Sequence, residues 1–386
     1  MSVAPPPNRL APVDGLRAVA VLGVIWWHTW IHTGNPAVIC FGLNFERLLV
    51  PLGTGFQLFF VLSGFCLYLS YQRLREFSAW QTYRRFVRRR WWRLSPAFYF
   101  VSLSTAAMLW IPQGHFSGLT LVGHITWLFY WIPGCEILSP VFWTLEVEWE
   151  FYLALPLLFS GPGRRTRFGW LVLLVAGCLA WRFWAVVDAA DGIATFGTGH
   201  LLAHFLPFAW GILAAECWLN HPAWLARIPA VPAVLGGAGL VFFGRGMEST
   251  EIFYLAGPFG SLCKTFSEPI LTLGYALVLL SALKASNPLL GWLSLPVMQL
   301  TGRLSYGLYL WHWLPSAKFG QMFRTLLGET VWAHYLALAA TLAVSFPLAG
   351  LTYRFLEAPF ISGKAKARPS RTTPATVVSL SSRLPR

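Results

Sequence analysis

Long apolar runs separated by short connectors rich in Gly, Pro or charge dominate the chain. They fall at about 15–34, 49–71, 95–112, 143–160, 168–187, 200–219, 228–243, 265–284, 297–317 and 331–353. A helix needs about 20 apolar residues to cross the hydrocarbon core of a bilayer, so the pattern predicts about ten crossings. A further run, 118–132, is shorter than a full span. Charge decides how it reads. If it does not cross, the basic stretches 73–93 and 164–167, the tail and Arg9 all share one face, as positive-inside asymmetry requires. If it does cross, 164–167 falls on the wrong face. The expected fold is an all-α polytopic membrane protein of about ten transmembrane helices plus one short half-membrane or interfacial segment, with both termini cytoplasmic.

Residues 1–362 then form one membrane domain, and 363–386, rich in Ser, Thr, Pro and cations, a disordered basic cytoplasmic tail. The opening residues show no cleavable signal, so the first run is expected to be a retained helix.

Composition agrees with the pattern. Of 386 residues, 56% are hydrophobic and only 11% charged, against about 25% charged in soluble domains. Lipid must be the solvent. A net charge of +14 would suggest nucleic acid in a soluble chain. Here Lys and Arg belong to the cytoplasmic edge, and no nucleic acid partner is expected. Cys40, Cys66, Cys135, Cys178, Cys217 and Cys263 lie far apart without metal or redox spacing and read as packing residues.

The informative positions are ionisable groups inside spans, each costing at least about 2.5 kcal/mol at a helix centre unless paired or hydrated. Arg17 and His28 are eleven residues apart on the first helix, sharing a face with about 16 Å between their backbones. They could link a site near the cytoplasmic headgroups to a deeper one, or be a snorkelling cation and a hydrogen-bonded core histidine. The loop YRRFVRRRWWRLSP holds Arg84, Arg85, Arg88, Arg89, Arg90 and Arg93 beside Trp91 and Trp92. An interfacial anchor accounts for some of these. Their density also suits a phosphate-rich ligand with a stackable base, a description that fits coenzyme A; a polyprenyl pyrophosphate fits the cluster as well.

Glu146, Glu148 and Glu150 enter one span at alternate positions, so they cannot all face one cavity. One is expected inside and the others near the headgroups. Glu148 shares a side with Tyr152 and Trp143; its carboxylate could act as general base, orient a histidine or pair with an intramembrane Arg. Ser63-Gly64 reads as close helix packing in preference to a serine nucleophile, and the glycines of G53-T54-G55 as a close backbone approach. Tyr309 and His312, three residues apart on one helix, can meet. The i,i+4 pairs His28/His32 and His200/His204 could chelate, but no HExxH follows, and neither metal nor haem is expected.

Taken in order, these segments resemble the membrane acyltransferase-3 family, multi-span enzymes that O-acylate saccharides and other hydroxyl-bearing molecules. VDGLRAVAVLGVIWWH resembles the family's opening helix and GTGFQLFFVLSGF its second-helix signature. RRWWRLSPAFY resembles the arginine motif, FWTLEVEWEFYLALPLL the tryptophan-to-tyrosine motif, and GRLSYGLYLWHW and FLEAPF the closing signatures. The resemblance implies His28 as catalytic histidine with Arg17 as companion, Arg89, Arg90 and Arg93 as the acyl-CoA-binding arginines, and Glu148 as the motif glutamate. Substrate contacts are expected from Trp143, Tyr152, Gln57, Ser63, Tyr309 and His312.

It further implies acetyl-CoA or another acyl-CoA as donor without a metal, and a saccharide, glycolipid or small-molecule hydroxyl as acceptor. The location implied is a multi-pass position among the lipids of a bacterial inner membrane. Gln57 stands where many members have an acidic residue, and Ala358 where many have Arg. Some members append an extracytoplasmic hydrolase-like domain, for which this chain leaves no room. The rival reading is a transporter or flippase of a glycolipid or small metabolite; clustered arginines and the motif order weigh against it.

Overall fold

In a computed structural model the chain is described at residues 10–40, 43–74, 77–114, 116–159, 164–188, 200–248, 257–284 and 287–361. The expected tail, 363–386, lies outside these. Twelve helices of nine or more residues order the fold: α1 (Ala11–His32), α2 (Gly55–Gln72), α3 (Ala79–Thr105), α4 (Gly118–Thr126), α5 (Trp143–Phe159), α6 (Arg164–Asp188), α7 (Leu201–Asn220), α8 (Ala230–Met247), α9 (Pro258–Ala282), α10 (Pro296–Trp311), α11 (Trp313–Leu327) and α12 (Val331–Thr352). Among the described residues the one β pairing joins two-residue strands, β1 (Ile39–Cys40) and β2 (Leu43–Asn44).

Among the described residues six helical segments are long and apolar enough to cross a membrane: Val50–Gln72, Phe168–Ala185, Leu201–Asn220, Ala230–Met247, Pro258–Ala282 and Val331–Phe360. The other long helices carry the polar residues that make the chain interesting. α1 holds Asp14, Arg17, His28 and His32, α3 the arginines, and α5 three glutamates.

Two sequence expectations change here. The arginine cluster is not a loop. Ser78 accepts a hydrogen bond from the Gln81 amide at 3.4 Å, and one helix runs unbroken from Ala79 to Thr105. Residues 84–93 therefore divide among helix faces, with Arg84, Arg85, Arg88 and Arg89 exposed and Arg90 and Arg93 turned partly inward. The run 297–317 is also not one straight helix, because α10 ends at Trp311 and α11 begins at Trp313, with His312 at the junction.

Pairwise contacts fix helix directions. Trp91 meets Trp149 and Phe98 meets Phe142, so α3 and α5 are antiparallel. The segment between them must therefore return to the end of the bundle where α3 finished. α4 can do this because it is only nine residues, about 14 Å long. Ser117 caps its start, and Trp127 stops it in the left-handed region at φ 61°. Such a backbone is costly for a bulky residue. Full burial of the indole, stacked 4.0 Å from Phe98 and donating to the Tyr99 hydroxyl at 3.2 Å, holds it there.

α2 runs parallel to α7, as Phe60 stacks on Phe208 and Tyr68 donates to Glu216 at 2.7 Å. Their backbones approach at Gly64 and Gly211, where any side chain would strike the facing helix backbone. Gly55 is likewise pressed against the backbone of Ala20. α1 lies at the centre and runs parallel to α10 and α11, with Asp14 beside Gly302, His28 beside His312 and His32 beside Gly320.

Candidate active site

Five helices converge on a cavity of about 80 Å³. The helical repeat selects its lining. α5 contributes Thr144, Glu148 and Tyr152, four residues apart; α2 contributes Phe56, Phe60 and Ser63; α3 contributes Arg90 and Arg93. α1 adds Arg17, and α10 adds Ser305, Tyr306 and Tyr309. Three guanidinium groups thus share the walls with one carboxylate.

That carboxylate is tightly held. Ser63 Oγ donates to Glu148 Oε1, and the Tyr152 phenol bonds the same side chain. Arg17 faces Glu148 and lies 3.9 Å from Asp14, one turn back. Arg90 Nε is buried with no hydrogen-bond partner among the described residues. Three guanidinium groups against one carboxylate leave the walls with net positive charge, which favours an anionic group. Tyr306 and Tyr309 close the α10 side, Tyr306 donating to the Leu94 carbonyl at 3.0 Å and Tyr309 sharing a 2.7 Å hydrogen bond with Thr144.

His28 does not line this cavity. It stands further along α1, with Nδ1 3.0 Å from Nε2 of His312 and its ring edge-on to Trp313 at 5.0 Å. His312 is fully buried and Tyr309 lies one turn before it, ring to ring 5.5 Å, so Tyr309 stands between the cavity and the histidine pair. α1 and α10 therefore carry two polar stations along one line, Arg17 with Ser305 and Tyr306 at one end and His28 with His312 at the other.

The remaining expected positions fall elsewhere. Arg89 is exposed on another face of α3. Trp143 packs on Phe56 and His204, each ring 5.2 Å away, and does not reach the cavity lining. Gln57 is buried beside Phe56, its carbonyl oxygen without a partner among the described residues. Glu146 and Glu150 each have a backbone amide as partner. Glu146 is fully buried and accepts from the Tyr130 amide at 3.0 Å, anchoring the turn after α4. Glu150 accepts from the Leu201 amide at 2.7 Å and meets His200 at 3.3 Å.

A second polar network was not read from the sequence as a unit. His204 Nδ1 lies 2.7 Å from Glu268, which also pairs with Arg182, and Arg182 donates to the carbonyls of Ala203, Thr265 and Lys264. It joins α6, α7 and α9. Arg182 and Glu268 are ionisable groups inside apolar runs, the same signal that singled out the first helix. His200 and His204 thus each have a carboxylate partner. Among the described residues no group of three potential ligands for a metal ion is found.

The sequence model of the acyltransferase-3 family, an acyltransferase domain, matches residues 11–350, and the chain belongs to that family. With its long apolar helices it is a multi-pass membrane protein. It is 26% identical to Nodulation protein 10 of Rhizobium leguminosarum bv. viciae, over 90% of this chain and 92% of that one. It is 22% identical to the O-acetyltransferase OatA of Staphylococcus aureus, over 92% of this chain but 57% of OatA. BcsY of Komagataeibacter xylinus, assigned as a membrane-bound transacylase, is 26% identical over 80% of this chain and 73% of its own length. No solved structure is a significant match.

Proposed function

We propose that this protein is an O-acyltransferase that moves an acyl group, most simply acetyl, from cytoplasmic acyl-CoA to a hydroxyl of a saccharide, glycolipid or other exported small molecule. The observation that carries the reading is the cavity lined by Arg17, Arg90 and Arg93 with a single carboxylate, Glu148, among them. That balance suits the phosphates of CoA. The exposed Arg84, Arg85, Arg88 and Arg89 on the preceding turns of α3 extend the same charge toward the headgroups.

In this reading the pantetheine arm passes Tyr309 toward His28, which lies about 16 Å beyond Arg17 along α1. His28 takes the proton of the acceptor hydroxyl as its oxygen attacks the thioester carbonyl, and the departing thiolate takes that proton back. An alternative order has His28 itself acylated first, then deacylated by the hydroxyl. Glu148 orients the donor or a hydroxyl.

We place residues 1–362 in one membrane domain of about ten crossings, with α10 and α11 counted together and α4 not crossing. The parallel contact of α1 with α10 supports this, because it requires an even number of reversals between them. Cytoplasmic termini and a bacterial inner membrane complete the proposal; the bacterial relatives and the basic start of α3 support them.

The test is transfer of labelled acetyl from acetyl-CoA in inverted membrane vesicles, followed by separation into lipid, polymer and small-molecule fractions. Wild-type protein should label one fraction and His28→Ala none. Equal labelling by folded His28→Ala would overturn the catalytic assignment. Substrate movement without any acyl transfer would instead favour a transporter.

A further inference from the structure

Both ring nitrogens of His312 are committed. Nδ1 lies 2.8 Å from the Tyr309 carbonyl oxygen and 3.2 Å from that of Leu308. A carbonyl oxygen only accepts, so Nδ1 must carry the proton. A neutral imidazole has one N–H, which leaves Nε2 as an acceptor. Nε2 lies 3.0 Å from His28 Nδ1, so that nitrogen must donate. None of the partners of His312 carries a formal charge, so its ring has no call for a second proton.

The protonation pattern of His28 follows. Its proton sits on Nδ1, which a neutral ring must also use toward the Val24 carbonyl one turn back, and its lone pair sits on Nε2. The ring is partly exposed, and Trp313 lies edge-on against it, which restricts rotation. We infer that His312 is a positioning residue that fixes the tautomer of His28, holding Nδ1–H and presenting the Nε2 lone pair to the reacting groups. This deepens the proposed acyl-transfer reading and rests on His28 being the transfer histidine.

The arrangement does with a second imidazole what a carboxylate does in a serine hydrolase: it selects the tautomer and orients the ring. Backbone carbonyls at the end of α10 hold His312, and His312 holds His28. Through the transfer step Nε2 accepts the hydroxyl proton as the new C–O bond forms. As the C–S bond breaks, the proton passes from Nε2 to the thiolate. Nδ1–H stays on His312 throughout. The same lone pair serves if Nε2 is acylated first. Substrate contact by His312, one of the sequence expectations, is incompatible with its burial and its two occupied nitrogens.

The test uses the full-length protein in lipid nanodiscs with nitrogen-labelled histidine, the His28 signals being assigned by their loss in His28→Ala. NMR should show His28 protonated at Nδ1 and unprotonated at Nε2. The opposite tautomer in wild type would overturn the proposal whatever His28 does in catalysis. Kinetics give an independent reading. His312→Phe keeps ring volume but removes the acceptor, and kcat for acetyl transfer from acetyl-CoA should fall about 10- to 100-fold with KM for acetyl-CoA little changed, the usual toll of losing the partner that orients a functional histidine. His312→Gln places an amide oxygen near the lost Nε2 and should recover at least about tenfold of that loss. Wild-type kcat in His312→Phe would overturn the proposal. If that variant does not fold, the wild-type tautomer and the His312→Gln turnover still decide. Persistent transfer by His28→Ala would sink the underlying reading instead, while leaving the tautomer as measured.

Discussion

Ser63 Oγ donates its proton to Glu148 Oε1, bridging α2 and α5 at the floor of the arginine-lined cavity. The hydroxyl is thereby engaged by a carboxylate that accepts from Tyr152 as well. Ser63 reads as a support for Glu148 and not as a nucleophile. Ser63→Ala should lower thermal stability in detergent by about 1–3 kcal/mol, as expected for a lost hydrogen bond to a charged group. Acetyl transfer should fall by about tenfold or less. Complete loss of transfer in a folded Ser63→Ala protein would restore the nucleophile reading.

Arg90 and Arg93 are three residues apart and share the cavity face of α3, whereas Arg89 is exposed to one side. Arg90→Ala should raise KM for acetyl-CoA about 10- to 100-fold through loss of a charge-assisted hydrogen bond. Arg89→Ala should raise it much less, and that smaller effect should vanish at high salt because exposed charges are screened. Equal effects of the two substitutions would show that the donor binds along the surface of α3 and not in the cavity.

The Arg182–Glu268 pair with His204 lies among apolar helices, Glu268 being only 2% exposed. Removing one partner leaves a buried charge uncompensated. Arg182→Met should therefore destabilise by about 3–5 kcal/mol, while the double change Arg182→Met with Glu268→Leu should recover much of that loss. Thermal unfolding of the single and double variants measures the difference. A double variant as unstable as the single would show that the carbonyl contacts of Arg182 matter more than the ion pair.

Gly302 of α10 faces the backbone of Asp14 on α1, and a Cβ there would overlap the Asp14 carbonyl oxygen. Backbone cannot yield as a side chain does. Gly302→Ala should cost about 1–3 kcal/mol and should separate the α1 and α10 stations, so that folded yield and transfer fall together. Gly291→Ala, in open space among the described residues, is the control and should behave as wild type.

The sequence by itself determined the solvent, the helices and the family. Apolar runs of spanning length leave no alternative to lipid, and the length of 118–132 marked it as shorter than a full span before any contact was known. Arg17, His28 and Glu148 stood out because an ionisable group inside an apolar run is costly in hydrocarbon unless it has work or a partner. Ser63-Gly64 was legible as a close approach because small residues have few other uses in a lipid-solvated helix.

Only the tertiary structure decided who meets whom. Helical periodicity assigns faces but not neighbours, so it could not show that His28 pairs with His312, 284 positions away. Nor could it separate Arg90 and Arg93 from Arg89, because the cluster read as a loop has no faces until it is a helix. Nor does composition reveal the backbone amides of Tyr130 and Leu201 that donate to Glu146 and Glu150. Arg182, His204 and Glu268 come from three separate runs and make sense only together. A charge in a membrane is explained by its partner, and the partner is a property of the fold.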